Sequence, residues 1–263
     1  MYIKPKKSLG QNFLIDKNIQ KKIIRACHLS KEDIVLEIGA GRGDLTVQLT
    51  QSAKKVYALE VDRRLYPHLD QIADIYDNCQ IIKTDILKFD INKFLDDQQI
   101  KQKIKVIGNI PYYISSPIIE QLIRYRQAIN LAFITVQKEF GRRARAVPGS
   151  KEYGSFSCFV QYYCVCEILF EIKKNSFKPA PNVESCFLSL AFREKAAVLA
   201  QDEGRLFKII RTAFNQRRKT LRNSLDGLVA QERLKNFLQG AGLDKNVRPE
   251  DLSLGQFADL SNY

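Results

Sequence analysis

Val35-Leu36-Glu37-Ile38-Gly39-Ala40-Gly41-Arg42-Gly43-Asp44-Leu45-Thr46 is an apolar run of strand length that breaks into three glycines at alternate positions and then enters a helix-like stretch. Glycine at such a junction lets the backbone take positive φ and pass close to a ligand, and the helix start that follows favours a negative group. The spacing is G-x-G-x-G. Asp44 occupies the position at which the dinucleotide fingerprint requires its third glycine, so a nicotinamide dinucleotide is disfavoured. Around this stretch, apolar runs at 34–38, 56–61, 80–83, 104–107 and 131–136 alternate with helix-like segments. That alternation predicts repeated βα units and a mostly parallel, doubly wound sheet with helices on both faces. Two later runs, 165–172 and 186–192, are separated by a proline-containing loop, which predicts an antiparallel hairpin at the sheet edge.

Two carboxylates extend the pattern. Glu60 closes the second run at the position where an acid can accept ribose hydroxyls, and Asp85 follows the third, again at a carboxyl end where open α/β sheets bind ligands. Glycine turn, Glu60 and Asp85, at the ends of three successive strands, resemble the S-adenosylmethionine site of class I methyltransferases. That resemblance implies that the first acid holds the ribose and the second faces the adenine amine. After the fourth strand comes Gly108-Asn109-Ile110-Pro111-Tyr112-Tyr113. An exocyclic adenine amine is a poor nucleophile because its lone pair is delocalised into the ring. The Asn109 side-chain oxygen and the Ile110 carbonyl can hold that nitrogen so that its lone pair faces a methyl donor, which is catalysis by positioning. Pro111 stiffens the turn, and Tyr112 offers a face to an extruded base.

The motifs Gln11-Asn12-Phe13-Leu14, Glu37-Ile38-Gly39, Asn109-Ile110-Pro111-Tyr112 and Phe177-Lys178-Pro179-Ala180-Pro181-Asn182-Val183-Glu184-Ser185 resemble those of the ribosomal RNA adenine dimethyltransferase family, over residues 6–260. Within it, the runs 148–154 and 213–225 are similar to the small-subunit enzymes of the kasugamycin-sensitivity (KsgA) type. After Phe192 the pattern turns helical without strand candidates, which predicts a boundary near 193–203; with the resemblance this gives a class I, Rossmann-like methyltransferase domain over 1–195 and a small all-α RNA-contacting domain over 196–263. It implies S-adenosylmethionine held by Asn12, Leu14, Gly39, Gly41, Glu60, Asp85 and Asn109, with Asn109, Ile110, Tyr112 and Phe177 around the target base. The substrate it implies is a pair of adjacent adenosines in the 3′-terminal hairpin of 16S rRNA within the 30S subunit, each converted to dimethyladenosine. Two positions depart from the family pattern: Tyr113 stands where Asn is usual, and Ala40 where Pro is usual. The run Phe140-Gly141-Arg142-Arg143 is also atypical.

Composition agrees with such a substrate. Among 263 residues, 42 Lys and Arg against 29 Asp and Glu leave a net charge of +13, which calls for a polyanionic partner. The surplus is segregated: Arg205, Lys208, Arg211, Arg217, Arg218, Lys219 and Arg222 form one run with no acid among them, read here as helical. Lys4, Lys6, Lys7, Lys17, Lys21, Lys22 and Arg25 face only Asp16 near the start. A solvated helix face mixes signs, so Arg217, Arg218, Lys219 and Arg222 are read as phosphate contacts. Six scattered cysteines without a C-x-x-C pair point to a reducing compartment, and two histidines give no basis for a metal site or a histidine-based triad. The N-terminus lacks the apolar stretch of a signal peptide, and no apolar run is long enough to span a bilayer. A cytoplasmic monomer without metal or membrane attachment is expected. Two rival readings are a macrolide-resistance type methylase of 23S rRNA and a non-catalytic factor for ribosome assembly or transcription. The 213–225 motif and the ending Arg248-Pro249-Glu250-Asp251-Leu252-Ser253 speak against the first, and intact Glu60, Asp85 and Asn109 against the second.

Overall fold

A computed structural model of the chain describes residues 4–263. Residues 1–3, on which the expected lack of a signal peptide partly falls, lie outside the described residues, as does the Lys7 side chain. In chain order the elements are β1 (Phe13–Leu14), α1 (Lys17–Ala26), β2 (Ile34–Ile38), α2 (Asp44–Ser52), β3 (Lys55–Glu60), α3 (Tyr66–Ile75), β4 (Cys79–Lys83), α4 (Ile91–Asp97), β5 (Ile104–Asn109) and α5 (Ser115–Arg124). They continue as β6 (Ile129–Gln137), α6 (Lys138–Ala144), α7 (Ser155–Tyr163), β7 (Cys164–Ile172), β8 (Phe177–Lys178), β9 (Ser185–Phe192), α8 (Glu203–Phe214), α9 (Leu221–Ser224), α10 (Gln231–Gly240) and α11 (Leu254–Asn262).

The main sheet has seven strands in the order β4-β3-β2-β5-β6-β9-β7. The pairs β2–β3, β3–β4, β2–β5 and β5–β6 are parallel, and β9 runs antiparallel to β6. The chain works outward from β2 through β3 to β4 and then returns to β5 on the other side of β2. This reversal opens a crevice beyond the carboxyl ends of β2 and β5. Helices cover both faces because successive strand residues point in opposite directions. Val35, Val56, Ile107, Phe133 and Phe187 share one core with Ile23 of α1 and with Leu45 and Leu49 of α2. Tyr57, the neighbour of Val56, faces the other way and meets Phe94 of α4 edge-on, with centroids 4.8 Å apart.

Two features differ from the sequence reading. Phe13–Leu14 and Phe177–Lys178 form a separate two-stranded antiparallel sheet, with Leu14 opposite Phe177. Two residues per strand carry no periodicity, so nothing in the sequence announces the pairing. The chain also divides into two compact units, Met1–Gly141 with Glu167–Phe192, and Arg142–Cys166 with Arg193–Tyr263. The single expected division at 195/196 therefore misses that 142–166 groups with the helical tail. The physical reason is aromatic. Phe159, Tyr162 and Tyr163 of α7 surround Phe207 of α8 at centroid distances of 5.5, 5.2 and 6.0 Å, while Tyr153 and Phe257 each lie 5.8 Å from Phe214. Among the described residues no helix is long and apolar enough to cross a membrane.

Candidate active site

The loop after β2 is built as its glycines require. Gly41 has φ +59°, and a Cβ there would meet the Phe13 ring at 3.3 Å; Gly43 has φ +74°, and a Cβ would lie 2.2 Å from Ile72 Cδ1. Any side chain at 43 would be strained in backbone and packing at once. The N–H groups of Gly39 and Ala40 both donate to the Leu59 carbonyl, at 2.9 and 3.0 Å, which draws the loop against the end of β3. There Glu60 is buried and accepts three backbone N–H bonds: Gly41 at 2.8 Å on Oε2, Val61 at 2.9 Å and Asp62 at 2.8 Å on Oε1. Burial raises its pKa, and the three N–H bonds oppose the rise. A carboxylate offers about four lone-pair positions, so roughly one remains for a ligand hydroxyl.

A strap formed by residues 4–14 crosses this loop. Gln11 Nε2 donates to Asp62 Oδ2 at 2.9 Å, and Arg64 grips the same carboxylate at 2.9 and 2.6 Å while donating to the Lys4 carbonyl at 3.2 Å. The Arg64 bonds, with Gln11, hold the Asp62 carboxyl at about 2. The strap ends beside β5, where Asn109 Nδ2 donates to the Asn12 carbonyl at 3.0 Å. This bond fixes the amide orientation. Oδ1 takes no donor among the described residues, so it is an acceptor left free at the cleft. Asn109 is the last residue of β5 rather than the first of a following turn, which gives its backbone the rigidity of the sheet, in register with Thr135 of β6.

The cleft between these parts has a cavity volume of about 120 Å³ and opens to solvent. Asn12, Leu14, Gly39, Gly41, Glu60, Asp85, Asn109, Ile110 and Tyr112 all line it, so the structure brings together every residue the sequence reading assigned to it save one. Asp85 is half-buried, with Oδ1 capping the turn at Leu87 N–H (3.0 Å). The exception is Phe177. It is 3% exposed, pairs with Leu14 across the small sheet and packs among Ile23, Val35 and Phe187, so it anchors the core and does not form a wall of the cleft. Tyr113, 63% exposed, lies against Gly10 of the strap. Three contributors were missed from sequence. Asp62 and Arg64 fasten the strap through contacts that span 51 to 60 residues, which no local pattern encodes. Arg42 is the one Lys or Arg among the cleft-lining residues; it rests on the Phe13 ring at 4.7 Å, and its Nε is buried without a partner. A cation inside a glycine turn was the signal to follow.

In the second unit Arg217, Arg218, Lys219 and Arg222 are exposed. They do not form one continuous helix as read: residues 215–219 turn between α8 and α9. Arg217 Nη2 donates to the Lys151 carbonyl at 3.0 Å, and Arg222 Nε donates to Gln231 Oε1 at 2.7 Å. Among the described residues no cluster of three His, Cys, Asp or Glu could hold a metal.

A switch-point cleft with acids ending β3 and following β4, a glycine cradle after β2 and an oriented amide on β5 fits an adenosine carrying a charged amino-acid tail: apolar Leu59, Val61 and Ile86 beside acceptors Glu60 and Asp85, and the cation Arg42. Fold and site together define a class I S-adenosylmethionine-dependent methyltransferase. A family profile described as "Ribosomal RNA adenine dimethylase" matches residues 3–263. "Ribosomal RNA small subunit methyltransferase A" of Staphylococcus epidermidis is 44% identical over 261 residues, covering 97% of this chain and 88% of that one. The protein of the same name from Lachnoclostridium phytofermentans is 42% identical, covering 97% and 90%. A dimethyladenosine transferase from Plasmodium falciparum superposes with a TM-score of 0.76 at 26% identity, covering 94% of this chain and 95% of that one. The chain belongs to the ribosomal RNA adenine dimethylase family.

Proposed function

We propose that this enzyme transfers methyl groups from S-adenosylmethionine to the exocyclic amines of two adjacent adenosines in the 3′-terminal hairpin of 16S rRNA within the 30S subunit, giving dimethyladenosines as a step of ribosome biogenesis. The reading places it in the cytoplasm as a monomer. The observation that carries it is the Asn109 amide, turned by the Asn12 carbonyl so that Oδ1 is the free acceptor at the switch point, one turn before the Tyr112 ring.

Asn12, Leu14, Gly39, Gly41, Glu60 and Asp85 hold the cofactor, and Asn109 touches cofactor and target together. When bound, S-adenosylmethionine supplies a methyl group on a positively charged sulfur, open to in-line displacement. Asn109 Oδ1 and the Ile110 carbonyl accept from the amine's N–H groups, which leaves the nitrogen lone pair directed at the displacement axis. The Tyr112 ring supplies a stacking face worth roughly 1–3 kcal/mol per base. Phe177 acts one layer back, holding the strap strand against the core. No bulky side chain closes on the amine position among Asn109, Ile110 and Tyr112, so a nitrogen that already carries one methyl fits for a second transfer. Arg217, Arg218, Lys219 and Arg222 hold RNA phosphates; folded RNA is recognised mainly through its backbone shape and accessible loops.

The test is transfer of labelled methyl groups to purified undermethylated 30S subunits, followed by mass spectrometry of nuclease-digested rRNA. Two methyl groups on each of two neighbouring adenosines are expected, with little transfer to 50S subunits or DNA. Asn109→Ala, with cofactor saturating, should lower the single-turnover rate by on the order of a hundredfold. Modification confined to 23S rRNA, or no methylated adenine at all, overturns the proposal.

A further inference from the structure

The mechanism leaves one polar contact at the cleft unexplained. Tyr112, half-buried on the turn after β5, places its hydroxyl 2.5 Å from Ser185 Oγ, across 73 residues of sequence. Ser185 is fully buried as the first residue of β9, opposite Gln137 of β6, and the adjoining Glu184 carbonyl accepts the Lys138 N–H at 2.9 Å. Its backbone is therefore fixed, and its hydroxyl has no other partner among the described residues. Resting on the reading that Tyr112 stacks the target base, we propose that Ser185 is a positioning residue, whose hydroxyl latches the phenol of Tyr112 and sets where the stacking face stands.

The geometry suits this task better than simple packing. A phenylalanine would fill the same space without burying a hydroxyl, and a buried hydroxyl must be satisfied to avoid a desolvation cost. Burial at the ring's tip raises the Tyr112 pKa, and the bond with Ser185 opposes that rise. An anchor at the tip stops the ring from swinging about its Cα–Cβ bond and leaves both faces uncovered. Rotation about the ring's long axis does not move the hydroxyl oxygen, so the ring plane can still follow an incoming base. The latch also joins the Asn109–Tyr112 motif to the 177–185 motif, which gives the second motif a part in the site although Phe177 itself lies in the core.

Four variants test it: Ser185→Ala, Tyr112→Phe, their combination and Ser185→Thr, with Tyr112→Ala as a control on the stacking role. Single-turnover methylation of 30S subunits, S-adenosylhomocysteine affinity by calorimetry and the thermal midpoint are measured for each. Ser185→Ala and Tyr112→Phe should each slow methylation about tenfold, the value of one hydrogen bond. The combination should be no slower than either, Ser185→Thr should recover most of the rate, and S-adenosylhomocysteine affinity should stay at the wild-type value. An unchanged rate in Ser185→Ala overturns the latch, as does a slower rate that only parallels weaker affinity and a lower midpoint. Should Tyr112→Ala react as fast as the wild type, the stacking role falls and the latch with it. A slow Tyr112→Ala beside a fast Ser185→Ala removes the latch alone.

Discussion

Glu37 and Glu60 are buried carboxyls within one site, both raised by burial, and they differ in the hydrogen bonds that oppose the rise. Glu37, next to last in β2, receives a single bond from Thr46 Oγ1 at 2.7 Å. Burial pushes it up to about 7, the Thr46 bond opposes the rise and the Glu60 charge adds to it. Glu60 has three backbone N–H donors and is the better host for negative charge. The folded-state value of Glu37 lies above its ordinary 4.5, so the stability it contributes is full below about pH 4.5 and is lost as pH rises through about 7. Glu37→Gln keeps an acceptor for Thr46 and cannot ionise. Denaturant unfolding should show the variant gaining on the wild type between pH 5 and 8, by on the order of 3 kcal/mol at the upper end. A constant difference across that range would mean that Glu37 does not titrate there. The sequence marks Glu37 only as part of Glu37-Ile38-Gly39; its protonation depends on Thr46 and Glu60, which the fold brings to it.

At the scale of elements, the basic cluster shows what a helix boundary changes. A continuous helix through 205–222 would distribute its cations around the axis, whereas the turn at 215–219 gathers Arg217, Arg218 and Lys219 on one exposed corner. Thr220 starts α9 by accepting the Asn223 N–H at 3.4 Å, which fixes where the corner ends. Neutralising Arg217, Arg218 and Lys219 together should weaken RNA binding and flatten the log–log salt dependence by about 0.7–0.9 for each phosphate that is no longer neutralised. Filter binding across a salt series measures this, and an unchanged slope would return the corner to ordinary solvated surface. Charge segregation was visible in the residue order alone. The break in the helix was not, because no proline or glycine occurs between 205 and 222 and the turn is imposed by packing of Phe214 against Tyr153 and Phe257.

On the scale of the molecule, the cleft is assembled from segments at 9–14, 37–45, 59–61, 84–86 and 109–118, each at the end of a different strand or on the strap. A ligand that touches them all binds only the folded state. S-adenosylhomocysteine at a hundred times its dissociation constant should therefore stabilise the protein by about 2.7 kcal/mol and raise the thermal midpoint by roughly 5 °C. Differential scanning calorimetry with 5′-methylthioadenosine, which lacks the amino-acid tail, gives the comparison at matched concentration; a midpoint unmoved by either ligand would exclude this cleft as the nucleoside site. By itself the sequence determined the parallel sheet, the strand ends that carry Gly39, Glu60, Asp85 and Asn109, and the charge that selects a polyanion. Those features are local: strand runs, turn glycines and charge counts are each complete within a few residues. Only the tertiary structure decided that Phe177 is a core anchor, that 142–166 groups with the helical tail, that Asp62 and Arg64 fasten the strap, and that Ser185 meets Tyr112. Each of these joins residues far apart in the chain, set by how strands are ordered and which side chains fill the space between them, and no periodicity within either partner encodes it.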